Sequence, residues 1–234
     1  MRPSLEWLVM PPEDVVTATA MTKWLADLTA AVEALGEQFA TLLNGEGVAG
    51  EWHITDGPPE AELRRWGSTA DLVILGQSDP DHPSHLQAPE AVVLGCGRPV
   101  LLVPYAGSFA RVGDNAVIAW NASREAARAA HDALPLFAQA AKVTILSVNP
   151  TDEQRRSSER LAQAFSRHGV SANPKAVSAK DLTAAEAVLS HTADDSGDLI
   201  VMGAYSHARV REIILGGMTR DMLRSMTVPV LMAH

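Results

Sequence analysis

The sequence predicts an α/β protein made of two doubly wound parallel-sheet units in tandem, the first lacking its first strand and helix. Three landmarks, met twice in the same order, carry that prediction. Asp71-Leu-Val-Ile-Leu-Gly76 matches Asp198-Leu-Ile-Val-Met-Gly203 almost position for position. Each is followed by a second apolar run, Pro99-Val-Leu-Leu-Val and Pro229-Val-Leu-Met-Ala. Each is preceded by a helical stretch ending in Gly-Val (Gly47-Val48 and Gly169-Val170) and then by a short extended segment. Self-similarity of this kind marks a repeated structural unit.

The second copy, residues 111–234, reads element by element. Residues 117–119 form a short apolar strand, and Ser123 is a good N-cap for the Ala-rich helix after it. Residues 143–148 are the next strand, followed by a helix over 152–168 that stops at Gly169. A strand over 172–177 precedes a helix beginning near Asp181. Residues 199–202 make a buried strand closed by Gly203; a loop then leads to Gly216-Gly217, a helix through Met226 and a last strand from Pro229. Continuous apolar strands alternating with amphipathic helices call for a parallel sheet covered on both faces. Right-handed crossovers make it doubly wound.

The first copy, residues 1–106, starts late. Residues 5–10 and Pro11-Pro12 correspond to 143–148 and Pro150, the second strand of the unit. Nothing before them matches the 117–119 strand or its helix, so this copy is short by roughly 30 residues. Either the chain begins at an internal start, or this half has evolved without that strand–helix pair. Residues 105–113, with Gly107 and Gly113 as breakers, link the copies.

Composition narrows the function classes. The 234 residues are 47% hydrophobic and 20% charged, enough to bury a sizeable core. No apolar run approaches the roughly 20 residues of a membrane span, and Arg2-Pro3 opens no signal-peptide pattern. A net charge of −9 sets a repulsive field against nucleic acid and anionic membranes. Cys96 is the single cysteine, which points to a reducing compartment and a soluble, cytoplasmic protein.

The chemistry-bearing motif follows the fourth strand of the second copy: Gly203-Ala-Tyr-Ser206, nine residues, then Gly216-Gly217-Met218-Thr219. This spacing resembles the universal stress protein family, whose nucleotide-binding members carry Gly-x-x-Gly, nine residues, then Gly-Ser or Gly-Thr. Asn121-Ala122-Ser123 stands where that family has an Asp-Gly-Ser loop, and Val148 falls where its second strand meets adenine. Thr227-Val-Pro-Val-Leu231 is similar to its Cys-Pro-Val-Leu ending. The resemblance covers the second copy and, more loosely, most of the first. It implies an adenine nucleotide α-hydrolase-like, Rossmann-like fold. It further implies a module of stress regulation binding ATP or another adenine nucleotide, with magnesium, and at most slow ATP hydrolysis. On that reading Asn121, Ser123, Val148, Met202, Gly203, Ser206, His207, Gly216, Gly217 and Thr219 contact the nucleotide.

General physics supports such a cradle. A glycine at a strand end removes a Cβ from the path of a ligand. A helix opening at Gly217 aims free N–H groups and a positive dipole end at an anion. The crevice at the strand-order reversal of a doubly wound sheet is the usual ligand site. Against it, Ser206 replaces the second glycine, Gly217 the usual serine and Asn121 the usual aspartate. The competing readings are that the glycines only permit close packing, and that the protein is a scaffold of this fold with decayed sites.

The first copy has no comparable loop. Gly76 is followed by Gln77-Ser-Asp79-Pro-Asp81-His82-Pro, whose carboxylates oppose phosphate. His82 and His85 beside those aspartates read as a solvated loop rather than a zinc site. Cys96 reads as a small buried residue, and His207 and Arg209 as either phosphate partners or surface charges. Trp7, Trp24, Trp52 and Trp66 read as core or interface packing. Glu212 is the sole candidate base near the loop, so no catalytic residue is assigned. The two final strands are open sheet edges, and the resemblance suggests that the copies pair through them, with further homodimerisation.

Overall fold

The computed structural model describes residues 18–55, 58–78, 88–205 and 217–234. The strand expected over 5–10 lies outside them. The chain divides into two compact units, one up to Glu62 and one spanning Leu63–His234.

In the first unit, α1 (Ala18–Glu46) runs for 29 residues. It stops at Gly47, whose φ of +65° a side chain would disfavour. The Val48 amide then bonds back to Leu43 O at 3.1 Å, the six-to-one closure that satisfies a helix's last carbonyls. Gly169 and Val170 repeat this device, with φ +77° and a 3.1 Å bond to Phe165 O. The repeated Gly-Val landmark is therefore a repeated helix stop. The extended segment expected after Val48 forms no strand. Trp52 instead lies against Phe39, ring centroids 5.7 Å apart, and beside Gly36.

The second unit begins in α2 (Pro59–Gly67) and holds a seven-stranded sheet. Its strands are β1 (Val73–Gly76), β2 (Val100–Val103), β3 (Asn115–Ala119), β4 (Lys142–Val148), β5 (Ala172–Val177), β6 (Leu199–Gly203) and β7 (Val230–Ala233). Their order is β1-β2-β7-β6-β3-β4-β5. Every neighbouring pair is parallel except β2 and β7, which run antiparallel with Val100 opposite Met232 and Leu102 opposite Val230. The two repeated Pro-Val-Leu runs thus join the halves into one sheet. From β3 onward the order is doubly wound, reversing direction between β3 and β6.

Helices cover both faces. On one, α4 (Arg124–Asp132) and α5 (Asp152–Ser166) bring Ala126, Ala129, Leu161 and Phe165 onto Ile118, Ile145 and Val201. On the other, α3 (Ala88–Gly95), α6 (Ala184–Asp194) and α7 (Gly217–Ser225) bring Val92, Val188 and Met222 onto Leu102, Ile200 and Met232. Local chemistry sets the helix starts. Ser123 caps α4, and Thr151 with Gln154 and Thr183 with Glu186 form reciprocal capping boxes on α5 and α6. The Thr183 box places the start of α6 at Ala184 rather than near Asp181. Pro135 sits in the first turn of a short 3-10 helix, Leu134–Phe137, after α4.

The repeated aspartates differ in role. Asp198, at the foot of β6, accepts the amides of Gly113, Asp114 and Asn115 at 2.9 to 3.1 Å and so ties β6 to the start of β3. Asp71 meets Arg98 at 3.4 Å instead, because β1 is the outer strand and has no such row of amides beside it. Gln77, just beyond β1, donates to Leu223 O of α7 and accepts the Tyr105 amide. Cys96 is buried and its thiol faces Arg98 O at 3.3 Å. Among the described residues no helix is long and apolar enough to cross a membrane.

Candidate functional site

Where β3 and β6 diverge at their carboxyl ends, the loops leaving them move to opposite faces and leave a crevice. A cavity of about 260 Å³ fills it, near the lower end of the range for small-molecule sites. Asn121 borders it from the loop after β3, Leu146 and Val148 from β4, and Met202 and Gly203 from β6. Ala184 and Val188, one turn apart on α6, and Gly217, Met218 and Thr219 at the start of α7 complete the walls with Tyr205.

Six residues named from sequence, Asn121, Val148, Met202, Gly203, Gly217 and Thr219, therefore line one cavity. Ser123 lies outside its lining: its hydroxyl caps α4 by accepting the Ala126 amide at 3.1 Å. Ser206, His207 and Gly216 lie outside the described residues, as do Arg209 and Glu212. So do Asp79, Asp81, His82 and His85 of the first copy, and Trp7. Sequence reasoning assigned none of the other lining residues: Ala119, Trp120, Leu146, Ala184, Val188, Tyr205 and Met218. The i, i+4 pair on α6 was a readable signal for a second apolar wall.

The rim is held rigidly. Asn121 Oδ1 accepts the Ser123 amide at 3.0 Å, and Asn121 O accepts Gln154 Nε2 at 3.1 Å. Between them Ala122 adopts φ +62°, a left-handed conformation that this side-chain turn supports. Across the cavity, buried Thr219 accepts the Tyr205 amide at 3.2 Å, pinning the exit of the β6 loop to α7. Tyr205 is itself at φ +60°. Its hydroxyl has no hydrogen-bond partner among the described residues. Burial, helped by the Glu90 carboxylate, raises its proton affinity well above that of an ordinary phenol.

The two glycines at the crevice have different physical roles. A Cβ on Gly203 would lie 2.4 Å from Ala126 N and 2.6 Å from the Glu125 carbonyl carbon. Glycine there lets the first turn of α4 sit against the end of β6. A Cβ on Gly217 would meet nothing within 4 Å, so packing does not require that glycine. Beside Gly203, Glu125 is buried, yet its carboxyl sits below the ordinary carboxylate value. Burial opposes ionisation, but bonds from its own backbone, Arg124 and Ser123 outweigh it.

No Asp, Glu, Lys, Arg or His is among the described residues lining the cavity. The walls are aliphatic, thioether and, at Trp120, indole; the side-chain polar groups are one carboxamide, one hydroxyl, one phenol and the Trp120 N–H, and the first amides of α7 open beside them. Such a site can hold a flat apolar ring and hydrogen-bond an anion at a helix N-terminus. Among its described lining residues no carboxylate or imidazole is present to take a proton from water.

No protein-family model matches the chain. A universal stress protein of Synechocystis is 40% identical over 48 residues, 20% of this chain and 17% of that protein, so the match spans well under a quarter of either. Among solved structures, a universal stress protein from Archaeoglobus fulgidus superposes with a TM-score of 0.71 at 16% identity, covering 94% of this chain and 84% of its own. A putative universal stress protein from Pseudomonas aeruginosa superposes with a TM-score of 0.56 at 15% identity, covering 94% and 89%. The fold is that of the universal stress proteins.

Proposed function

We propose that this chain, starting from that fold, binds ATP or another adenine nucleotide in the crevice of its second copy and serves as a stress-linked regulatory module in the cytoplasm. One observation carries the reading: the cavity stands at the strand-order reversal, and at its lip Gly217 leaves open space where a side chain would otherwise project. The aliphatic wall of Leu146, Val148, Ala184 and Val188 suits a purine ring. The start of α7 supplies N–H donors to a phosphate. Asn121, being neutral, repels that phosphate less than a carboxylate would.

The same residues limit the chemistry. Magnesium, when bound, neutralises phosphate charge, but no carboxylate among the described lining residues suits it as a ligand. Magnesium would then be carried on the nucleotide's own phosphate oxygens. With no general base among those residues, the site favours retention over hydrolysis. The test is to denature the purified protein and chromatograph the supernatant for adenine nucleotide. Thermal unfolding with and without ATP and magnesium complements it, since ligand at 100 times Kd adds about 2.7 kcal/mol. No released nucleotide and no shift at millimolar ATP would favour the scaffold reading. The packing role of Gly203 is the observation on that side.

A further inference from the structure

The two repeated runs end alike in their backbone and differently in their side chains. Gln77 follows β1 as Ala204 follows β6, each coming just after the glycine that closes the strand. The Gln77 amide donates to Val103 O at 2.7 Å and the Ala204 amide to Ala233 O at 2.8 Å, the last residues of β2 and β7. The joint between those two strands is equally regular: Leu101 pairs with Leu231, and Val100–Met232 and Leu102–Val230 flank that pair symmetrically. Position 204 carries only a methyl group. The Gln77 side chain crosses the joint: its Nε2 donates to Leu223 O at 2.8 Å, while its Oε1 accepts the Tyr105 amide at 3.3 Å.

Leu223 lies in the last turn of α7, where main-chain carbonyls run out of partners within the helix. Gln77 supplies one from 146 residues away in sequence. The opposite end of α7 is the one that opens on the cavity, through Gly217, Met218 and Thr219. Leu223 stands six residues on from Gly217, about 9 Å along the axis. Between them Met222 is fully buried and acts as a fulcrum. A helix this short tilts as one body, so a restraint on its last turn fixes the aim of its first. A second line crosses the joint nearby: the Glu90 carboxylate of α3 acts on the phenol of Tyr205, itself part of the cavity wall.

We propose that Gln77 is a positioning residue for the crevice ligand, through which the half of the sheet whose own loop opposes phosphate holds α7 in the pose its N–H groups need. The proposal rests on the nucleotide reading above. Fixing a glutamine costs rotamer freedom that the alanine at 204 does not lose, and the return is the tie to α7.

Calorimetric titration with ATP and magnesium, together with amide hydrogen exchange on the full chain, tests this. Gln77→Met keeps the side-chain length and removes both bonds. Gln77→Lys restores a donor to Leu223 O, favoured by the negative end of the helix, but no acceptor for Tyr105. The methionine variant should bind ATP about fivefold more weakly or worse, the lower end of coupling between distinct sites. It should also exchange faster at the Tyr205 amide, which Thr219 of α7 holds. Ile118 in β3 should exchange as in wild type, establishing that the sheet is folded. The lysine variant should recover both readings. Wild-type affinity and Tyr205 exchange in Gln77→Met overturn the inference. So does a lysine variant as impaired as the methionine one, which would assign the effect to the Tyr105 bond. If wild type takes up no ATP, the nucleotide reading fails, and Tyr205 exchange still decides whether Gln77 sets the pose of α7.

Discussion

Substituting Gly203 with alanine should destabilise the second unit, whereas the same change at Gly217 should not. The added methyl at 203 would lie 2.4 Å from Ala126 N, 2.6 Å from the Glu125 carbonyl carbon and 2.8 Å from Glu125 Cβ. Carbon contacts settle at about 3.5 Å or more, so the first turn of α4 must retreat by about 1 Å. Two of the three atoms are main chain, so no rotamer change relieves the overlap. Ala126, Ala129 and Ala130 of that helix are buried in the core, and protein cores are close-packed enough to leave the turn little room to retreat. Overpacking of this kind costs about 3 kcal/mol, near the top of its usual range. For a unit of this size that lowers Tm by roughly 6–12 °C. Thermal and urea unfolding followed by circular dichroism would show a lower midpoint with an unchanged m-value. Gly217→Ala meets no atom and needs no left-handed φ. Its stability should hold or rise by up to about 1 kcal/mol, while ATP binding weakens. A Gly203→Ala protein melting within about 2 °C of wild type would refute the packing argument.

Three further outcomes follow from named contacts. Burial and Lys175 hold His191 below its ordinary value of 6.5, against the pull of Asp195 and with Lys142 adding to the depression and Asp194 opposing it. The unfolded chain then takes the proton first, so this stability is whole above about pH 6.5 and declines as pH falls through it. His191→Gln should flatten the Tm profile between about pH 7 and pH 5; Asp195, held low by Lys142, acts only below its ordinary 3.8. Asp198→Asn weakens the acceptor of three main-chain amides and should cost about 2 kcal/mol in urea unfolding. Thr219→Val removes the oxygen holding the Tyr205 amide and should cost about 1 kcal/mol. Hydrogen exchange at Tyr205 should quicken with it.

The second copy was legible because its strands are continuous apolar runs and its helices begin on capping residues. Residues 143–148 and 199–202 reappear as β4 and β6 with one residue added to each. The misplaced start of α6 reflects a preference for Asp181 over the stronger Thr183–Glu186 box. The segment after Val48 forms no strand although its counterpart after Val170 does. A strand exists only where a neighbour offers a ladder, and that is tertiary information. At the crevice, the parallel order brings residues from 121 to 219 together, which spacing within a family pattern had implied. The distinction between Gly203 and Gly217 was illegible. Both are glycines beside one cavity, and only three-dimensional neighbours show that one accommodates a helix while the other faces empty space.

The antiparallel junction of β2 with β7 has a consequence for how the protein is made. In the finished sheet β7 lies between β2 and β6, yet it is synthesised after all six other strands. While the chain is growing, the strand slot at the middle of the sheet is vacant, and β2 and β6 each present unpaired apolar backbone. Four strands and their helices separate β2 from β7 in sequence, so their pairing is a late and slow event. Nascent chains stalled before Pro229 should therefore be the species that aggregates or recruits a chaperone, even though most of their secondary structure is already encoded.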